Sequence, residues 1–201
     1  MGLECRVTEE MNRNLLKVFT FAEVDIALSQ MHPLKSLGPD GMSAVFYQHF
    51  WALVRNEVCN AVLDYLNNGI FDTSINDTFI TLIPKIKDPT RITEYRPISL
   101  CNVLYKLIAK VLANRLKKVL PHIISPNQSA FIPGRLISDN ILVVFKALQT
   151  MDARMTGRKG YMALKLDMRK AYDRVEWDFL EAIMTRIGFA GRWVDLLMTC
   201  V

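Results

Sequence analysis

The 201-residue sequence has few cysteines and histidines, and they do not stand at the spacings of a metal site. They are Cys5, Cys59, Cys101 and Cys200, and His32, His49 and His122. No Cys-x-x-Cys pair occurs, which argues against a zinc site or a disulfide framework. No apolar run is long enough to cross a membrane, and the first 14 residues lack the apolar core of a signal peptide. We therefore expect a soluble intracellular protein, nuclear or cytoplasmic, with no membrane partner.

Positive charge is unevenly distributed along the chain, although the net charge is only +5. Residues 79–120 hold nine basic and two acidic side chains, and residues 154–174 hold seven basic and two acidic ones. Residues 1–78 hold five basic and ten acidic side chains. Such segregation is typical of a polyanion-binding face, but a solvated basic helix surface produces the same pattern. Charge alone leaves both interpretations open.

Hydrophobic periodicity and turn residues predict an α+β fold that is rich in helix and has a small antiparallel sheet. Predicted helices run from a capping box at Thr20 to before Pro33, over residues 43–67, 102–120 and 138–151, and from Asp173 to Gly188. Predicted strands are residues 79–85, a second strand after the Asp88-Pro89 turn, and residues 161–167. The first two strands are expected to form a hairpin. Helix ends are predicted at Asn68-Gly69 and at Pro121.

In the stretch MALKLDMRKAYDRVEW, residues 162–177, Asp167 places a carboxylate at the end of an apolar run. A carboxylate at the carboxyl end of a buried strand is held rigidly at the rim of a sheet, which is a common position for functional groups. Because an unpaired buried charge is costly, Asp167 requires a cation. A divalent metal such as magnesium is one candidate partner. An ion pair with Lys165 or Arg169 is the other.

Asp173, six residues later, has a local interpretation. The sequence Asp173-Arg-Val-Glu176 is typical of a helix start, in which Asp173 is the N-cap and the Glu176 side chain reaches back to it. Local rules therefore explain Asp173 but do not explain Asp167.

Four stretches of the sequence form a specific pattern when they are taken in order. They are KSLGPDGM (35–42), LIPKIKDPTRITEYRPISL (82–100), NQSAFIPGRLISDNIL (127–142) and KLDMRKAYDRVEW (165–177). Together they resemble the reverse transcriptases of non-LTR, LINE-type retrotransposons of the plant kind. The resemblance covers about residues 20–201, and four motifs in order are far more specific than any one of them.

The resemblance implies an incomplete right-hand polymerase fold, made of fingers and the first part of a palm. Residues 1–78 are expected to be an N-terminal helical extension and the entry to the fingers. Residues 79–120 would be the fingers hairpin and a basic helix, and residues 121–201 a partial palm. The implied reaction is transfer of deoxynucleotides to a primer 3′-end. Its partners would be an RNA template, a DNA primer and deoxynucleoside triphosphates.

The resemblance also implies roles for residues of the last motif. Asp167 looks like the first metal-binding aspartate of the palm, and the main-chain carbonyl of Met168 would help to hold one of two magnesium ions. Backbone amides near Lys170 and Ala171 would bind the triphosphate. Tyr172 falls where the family has an aromatic ring that excludes a 2′-hydroxyl. The alternative is that Tyr172 is an ordinary half-buried aromatic residue at a helix start.

Lys85 and Arg96 match positions from which the fingers reach the triphosphate of the nucleotide. Arginine suits this role because its planar fork binds phosphate oxygens bidentately. An ion pair of Arg96 with Glu94 is the alternative. The hairpin register around Pro84 decides the placement of Lys85.

Other residues match, or are suited to, a track for the nucleic acid. These are Gln128, Gly134, Arg135, Lys106, Lys110 and Lys117. Gly134 is expected to meet a backbone requirement. The lysines lie on the predicted helix over residues 102–120, whose basic side would follow a phosphate backbone or simply face water.

The sequence departs from the family pattern in one respect. Polymerases of this family carry an aromatic-x-Asp-Asp turn downstream of the first catalytic motif, and these 201 residues contain no Asp-Asp dipeptide. We therefore expect a fragment truncated before that turn. The isolated chain is expected to be inactive because its two-metal site lacks the second source of carboxylates. A non-catalytic nucleic-acid-binding remnant and a non-functional relic of a retroelement are the alternatives.

Replacing Asp167 by Asn is expected to leave the nucleic-acid affinity of this chain unchanged or slightly higher. The substitution removes a negative charge and no contact to phosphate. The affinity is measured by titrating a labelled oligonucleotide with both proteins. A large loss of affinity would contradict the assignment of Asp167 as a metal ligand.

Overall fold

Helices dominate the described part of the chain, and two strands form its sheet. The computed structural model describes residues 4–70, 73–153, 162–166, 168, 171 and 174–200. Its helices are α1 (Glu9–Leu15), α2 (Phe21–Ser29), α3 (Ala44–His49), α4 (Trp51–Leu63), α5 (Val103–Ile123), α6 (Ile137–Ala153), α7 (Trp177–Arg186) and α8 (Gly191–Met198). Its strands are β1 (Thr78–Pro84) and β2 (Tyr95–Cys101). The predicted helix-rich α+β class with a small antiparallel sheet is confirmed.

The chain divides into two compact units. The first unit contains Met1–Asn12 and Leu116–Ala190, and the second contains Arg13–Arg115 and Gly191–Val201. Helices α1 and α5 each contribute residues to both units. Among the described helices, none combines the length and the apolar character that a bilayer span needs.

Helix α2 begins and ends where the sequence predicts. The Thr20 amide donates to Glu23 Oε2 at 3.0 Å, and the Glu23 amide donates to the Thr20 carbonyl at 3.1 Å. These bonds form the predicted helix start. The helix ends at Ser29, before Pro33.

The helix predicted over residues 43–67 is instead two helices, α3 and α4, which meet at Phe50. Phe50 has φ −95° and ψ 18°, which departs from helical geometry. Its ring packs on Phe46 and His49, with centroids 5.1 and 4.8 Å away. The apolar period continues through the junction, which is why the sequence predicts a single helix. A π-helical turn follows α4, and Gly69 ends it as predicted, with φ 72°.

Helix α5 continues beyond the point where the sequence predicts its end. Pro121 lies inside the helix, which ends at Ile123. In the last turn a proline removes only one N–H donor, and the Ile124 amide still donates to the Leu120 carbonyl at 3.0 Å. The prediction that Pro121 ends the helix is therefore wrong.

Helix α5 carries a buried cation, Arg115, which is 7% exposed. Its Nε and Nη2 atoms donate to the carboxylate of Glu23 at 2.7 and 2.9 Å. Further N–H groups donate to the main-chain carbonyls of Leu15, Lys17 and Val18. All five N–H donors of the guanidinium are therefore used. Arg115 belongs to the basic run of the sequence, and its burial removes it from any polyanion-binding face.

The carboxyl group of Glu23 is ionised beside Arg115. Burial by itself raises the pKa of Glu23, but the hydrogen bonds from Arg115 and Thr20 and the charge of Arg115 outweigh burial. The pKa is therefore lowered from its usual value of 4.5. Because the folded-state pKa is depressed, Glu23 contributes stability above its unfolded-state pKa, and that contribution is lost as pH falls through the folded-state value.

In the first unit, the amino-terminal segment packs against the end of α7. The Val7 amide donates to the Ile187 carbonyl at 2.9 Å. The Asn12 side chain donates to the Gly188 carbonyl at 2.7 Å and accepts from the Ala190 amide at 2.9 Å. Gly188, the predicted helix stop, has φ 102°, a conformation that favours glycine.

Helix α7 begins later than the sequence predicts. Its first residue is Trp177, and Glu176 occupies the N-cap position without a side-chain capping bond. Glu176 has an extended backbone, with φ −77° and ψ 146°, so the helix cannot begin before it. The predicted helix start at Asp173 is therefore wrong for α7, and Asp173 itself lies outside the described residues.

The buried strand predicted over residues 161–167 is absent from its described part. Residues 162–166 are not assigned to a strand, and Met162 and Leu166 are 85% and 83% exposed. A strand needs a neighbour for its N–H and C=O groups, and β1 and β2 pair with each other. The prediction is wrong for residues 162–166. An apolar run indicates that a segment can be buried, but it does not show that a neighbouring strand is available to pair with it. Residues 161 and 167 lie outside the described residues.

Replacing Arg115 by Met is expected to lower the free energy of unfolding by about 2–3 kcal/mol. The change leaves the partly exposed Glu23 carboxylate and three carbonyls without their donor. The control is Lys118→Met, an exposed cation on the same helix, which should change stability by less than about 0.5 kcal/mol. Urea unfolding measures both. Equal losses would contradict the role of Arg115.

Candidate nucleotide and nucleic-acid interface

The register of the β1–β2 hairpin determines which side chains share a face. Ile83 pairs with Arg96, and Pro84 pairs with Tyr95. Beyond this last pair, the Lys85 amide donates to the Glu94 carbonyl at 2.7 Å. Side chains alternate along a strand, so Lys85 falls on the same face as Ile83 and Arg96. The two cations singled out from the sequence therefore lie on one face of the hairpin.

The two cations are held differently. Lys85 Nζ donates to the Thr93 carbonyl at 2.9 Å, which ties its side chain to the loop between the strands. Arg96 is exposed and forms no ion pair with any residue that the structure describes. The guanidinium of Arg96 is therefore open to an anion from solution.

The alternative ion pair of Arg96 with Glu94 is not formed. The Glu94 carboxylate accepts hydrogen bonds from the amides of Arg91 and Thr90, at 3.0 and 2.7 Å. These amide bonds lower the pKa of Glu94. The Glu94 carboxylate thus holds the turn between the strands through hydrogen bonds from backbone amides.

The last motif lies largely outside the described residues. Asp167, Lys170 and Tyr172 are not among them, and the roles of these residues stay predictions. Met168 and Ala171 are described, and both are exposed. Among the described residues, no three His, Cys, Asp or Glu side chains gather as they would around a metal ion. The oxygen ligands that the motif offers, the Asp167 carboxylate and the Met168 carbonyl, suit a hard cation such as magnesium.

The loop over residues 125–135 is closed by Arg135. Its Nη1 atom donates to the carbonyls of Ser125 and Gln128 at 2.6 and 2.7 Å, and Nη2 donates to the Pro121 carbonyl at 3.4 Å. Gly134 has φ 78°, which bears out the expected backbone requirement. Arg135, a predicted nucleic-acid contact, is therefore engaged with the backbone of its own loop.

A cationic groove runs beside α5 in the second unit. It is an open cavity of about 560 Å³. Its lining residues are Gln30, Met31, His32, Lys35, Tyr105, Lys106, Ala109, Lys110 and Ala113. Lys106 Nζ donates to the Ser36 carbonyl at 2.7 Å, and burial is the main cause that lowers the pKa of Lys106. The groove brings together two of the predicted lysines, Lys106 and Lys110, whereas Lys117 is exposed but is not part of its lining.

Lys35 lines this groove but was missed as a site residue. It lies about 70 residues before Lys106 in sequence, so helical periodicity could not connect the two. Its membership of the KSLGPDGM motif was the signal that could have found it.

The loop over residues 35–42 is anchored on the residue before α5. The Asp40 amide donates to Asn102 Oδ1 at 3.2 Å, and Asn102 Nδ2 donates to the Ile75 carbonyl at 3.5 Å. The Asn102 side chain therefore connects the 35–42 loop with the segment at Ile75. Gly38 lies so close that a Cβ there would stand 2.5 Å from the Asn102 backbone nitrogen.

Residues 83–200 match the family model described as reverse transcriptase (RNA-dependent DNA polymerase). The matched region includes Lys85 and Arg96 of the hairpin face, the loop closed by Arg135, and the last motif. The 35–42 loop and most of β1 precede it.

Three relatives are retroelement proteins by name. The chain is 34% identical over 193 residues to the Transposon TX1 uncharacterized 149 kDa protein of Xenopus laevis, which covers 96% of this chain and 14% of that protein. It is 31% identical over 169 residues to the Retrovirus-related Pol polyprotein from type-1 retrotransposable element R2 of Popillia japonica, covering 83% of this chain and 22% of that protein. It is 28% identical over 185 residues to the Retrovirus-related Pol polyprotein from type-2 retrotransposable element R2DM of Drosophila melanogaster. This match covers 90% of this chain and 17% of that protein.

The chain spans less than a quarter of the length of these three relatives. None of the three organisms is a plant, and the expected plant kinship stays a prediction.

Replacing Gly38 by Ala is expected to lower the free energy of unfolding by about 2–3 kcal/mol. Its Cβ would meet the backbone of Asn102, which cannot move aside cheaply. The control is Gly41→Ala, where φ is 69° but nothing lies within 4 Å, so only backbone strain of about 1 kcal/mol is expected. Chemical denaturation of both variants provides the comparison. A smaller effect at Gly38 than at Gly41 would contradict the docking of this loop on Asn102.

Proposed function

The chain belongs to the reverse transcriptase family, and from this premise we propose that it is part of an RNA-directed DNA polymerase of a non-LTR retrotransposon. The parent reaction is template-directed transfer of deoxynucleotides to a primer 3′-end, inside the cell. The family match over residues 83–200 and the retroelement relatives support the proposal. The observation that carries it furthest is the exposed cationic face of the hairpin, with Lys85 and Arg96.

We assign the triphosphate of the incoming deoxynucleotide to this hairpin face. The Arg96 guanidinium, with no acidic partner among the described residues, can offer two parallel N–H groups to phosphate oxygens. Lys85 uses one of its three N–H donors on the Thr93 carbonyl and keeps two for phosphate. The Glu94 carboxylate accepts from the amides of Thr90 and Arg91 and forms no ion pair with Lys85 or Arg96.

We also assign residues of the last motif to the nucleotide and its metal. Asp167 and the Met168 carbonyl would hold magnesium, which neutralises charge on the phosphates and activates the primer hydroxyl. Backbone amides near Lys170 and Ala171 donate to the triphosphate. Tyr172 packs against the sugar and excludes a ribonucleotide by occupying the space of its 2′-hydroxyl.

We assign the phosphate backbone of the nucleic acid to the cationic groove beside α5. Lys35, Lys106 and Lys110 converge there, and each can neutralise one phosphate. The small side chains Ala109 and Ala113 leave room between the lysines. Lys117, Gln128, Gly134 and Arg135, which belong to the first unit, are further proposed contacts of the nucleic acid, and Arg135 would act through the shape of its loop.

In the complete enzyme, we place residues 79–120, with the hairpin and most of α5, in the fingers, residues 121–201 in a partial palm, and residues 1–78 in a helical extension and the entry to the fingers. The cationic groove beside α5 also suits a second candidate function, a nucleic-acid-binding module without polymerase activity.

The groove predicts how salt changes binding. The double variant Lys106→Ala/Lys110→Ala is expected to reduce the slope of log affinity against log salt by about 1.4 for a single strand, because each phosphate contact contributes about 0.7. Fluorescence anisotropy with a labelled single-stranded RNA, between about 50 and 200 mM salt, measures the slope.

The matched control is Lys17→Ala/Lys146→Ala, which removes two exposed lysines outside the groove. The control slope should equal that of the unchanged protein. Binding that does not respond to salt in the unchanged protein, or an equal change in both double variants, would overturn the assignment of the groove.

A further inference from the structure

Phe131 combines two features that folding alone does not favour. Its side chain is 92% exposed, so its ring contributes almost nothing to a core. Its backbone has φ 65°, in the left-handed region that penalises residues with a bulky side chain. Glycine or asparagine would adopt this conformation more readily. Contacts with the described residues therefore do not account for a phenylalanine at this position.

The loop around Phe131 is held in place by its neighbours. Ser129 and Ile132 are both buried, at 7% exposure each. The Ile132 amide donates to the Ser129 carbonyl at 3.3 Å, and the Arg135 amide donates to the Ile132 carbonyl at the same distance. The Arg135 guanidinium also donates to the carbonyls of Ser125 and Gln128, which holds the loop closed. The backbone is thus fixed on both sides, and Phe131 is directed to solvent.

Basic residues predominate in the sequence around this loop. Residues 95–138 contain no Asp or Glu and include seven Lys and Arg side chains, and Asp139 follows in the first turn of α6. In the first unit, which contains Phe131, Lys117 and Lys118 are exposed. An exposed apolar ring within a basic part of the sequence suits a ligand that is flat and apolar on its faces and negatively charged elsewhere. A nucleotide of a single strand has these properties, whereas the bases of a duplex already cover each other's faces.

We propose that Phe131 is a stacking platform for an unpaired base of the bound nucleic-acid strand. The inference rests on the proposed function, because it needs a bound nucleic-acid strand. Every base has a π-face, so stacking raises affinity for single strands with little preference among bases. The strained backbone keeps the ring out of the core and available to the base.

The test compares two probes that have equal charge. One is a labelled single-stranded oligodeoxyadenylate, and the other is an abasic oligonucleotide of the same length, which keeps the phosphates but has no bases. The unchanged 201-residue protein should bind the base-containing strand about five- to a hundred-fold more tightly. Phe131→Asn and Phe131→Gly should bind both probes equally.

Thermal unfolding separates loss of the ring from loss of the fold. Asparagine and glycine relieve the strain at φ 65°, so both variants should unfold at the same temperature as the unchanged protein or at a higher one. Leu136→Ala, at a side chain that is 62% exposed, removes apolar surface without a ring and should keep the preference for bases. Phe131→Trp should keep or increase it.

The outcomes distinguish the inference from the proposed function. Equal binding of both probes by the unchanged protein, with a steep dependence on salt, overturns the stacking role and leaves the cationic groove in place. A base preference that persists in Phe131→Asn overturns it as well. Absence of binding to either probe at low salt overturns the proposed function, and the stacking role with it.

Discussion

The buried guanidinium of Arg115 is the constraint on which much of the second unit depends. Arginine does not lose its proton in proteins, so a buried Arg115 requires acceptors for all five of its N–H groups. Glu23 supplies the charged acceptor, and carbonyls of the segment over residues 15–18 supply the others. Helix α2 and that segment are thereby fixed on α5. The same helix positions the cationic groove.

Helix α5 divides its basic residues between two purposes. Lys106 and Lys110 lie one turn apart and line the groove, whereas Arg115 is nine residues after Lys106 and therefore faces roughly the opposite side of the helix. One side of α5 uses its charge to stabilise the fold, and in our proposal the other side offers charge to a ligand. Lys35 joins the second side because Asn102 anchors its loop.

Charged side chains close the two elements that carry the proposed ligand contacts. Glu94 accepts from two amides in the hairpin turn, and Arg135 donates to three carbonyls around the 125–135 loop. In each element a charged side chain forms hydrogen bonds with the backbone. A residue a few positions away, Arg96 in the hairpin and Phe131 in the loop, is exposed. Rigid closure lowers the conformational entropy that binding would otherwise cost.

Local sequence alone determined the features that depend on a few neighbouring residues: the α2 cap, the helix stops at Gly69 and Gly188, and the hairpin around its turn. The order of four motifs likewise indicated the reverse transcriptase family. Tertiary structure alone decided the burial of Arg115, the use of the Asn102 side chain by two segments, and the absence of a strand at residues 162–166. Each of these depends on partners that are remote in sequence, because a buried charge needs acceptors and a strand needs a neighbour. Hydrophobic periodicity predicts which side chains can be buried, and only the tertiary structure determines which residues they contact.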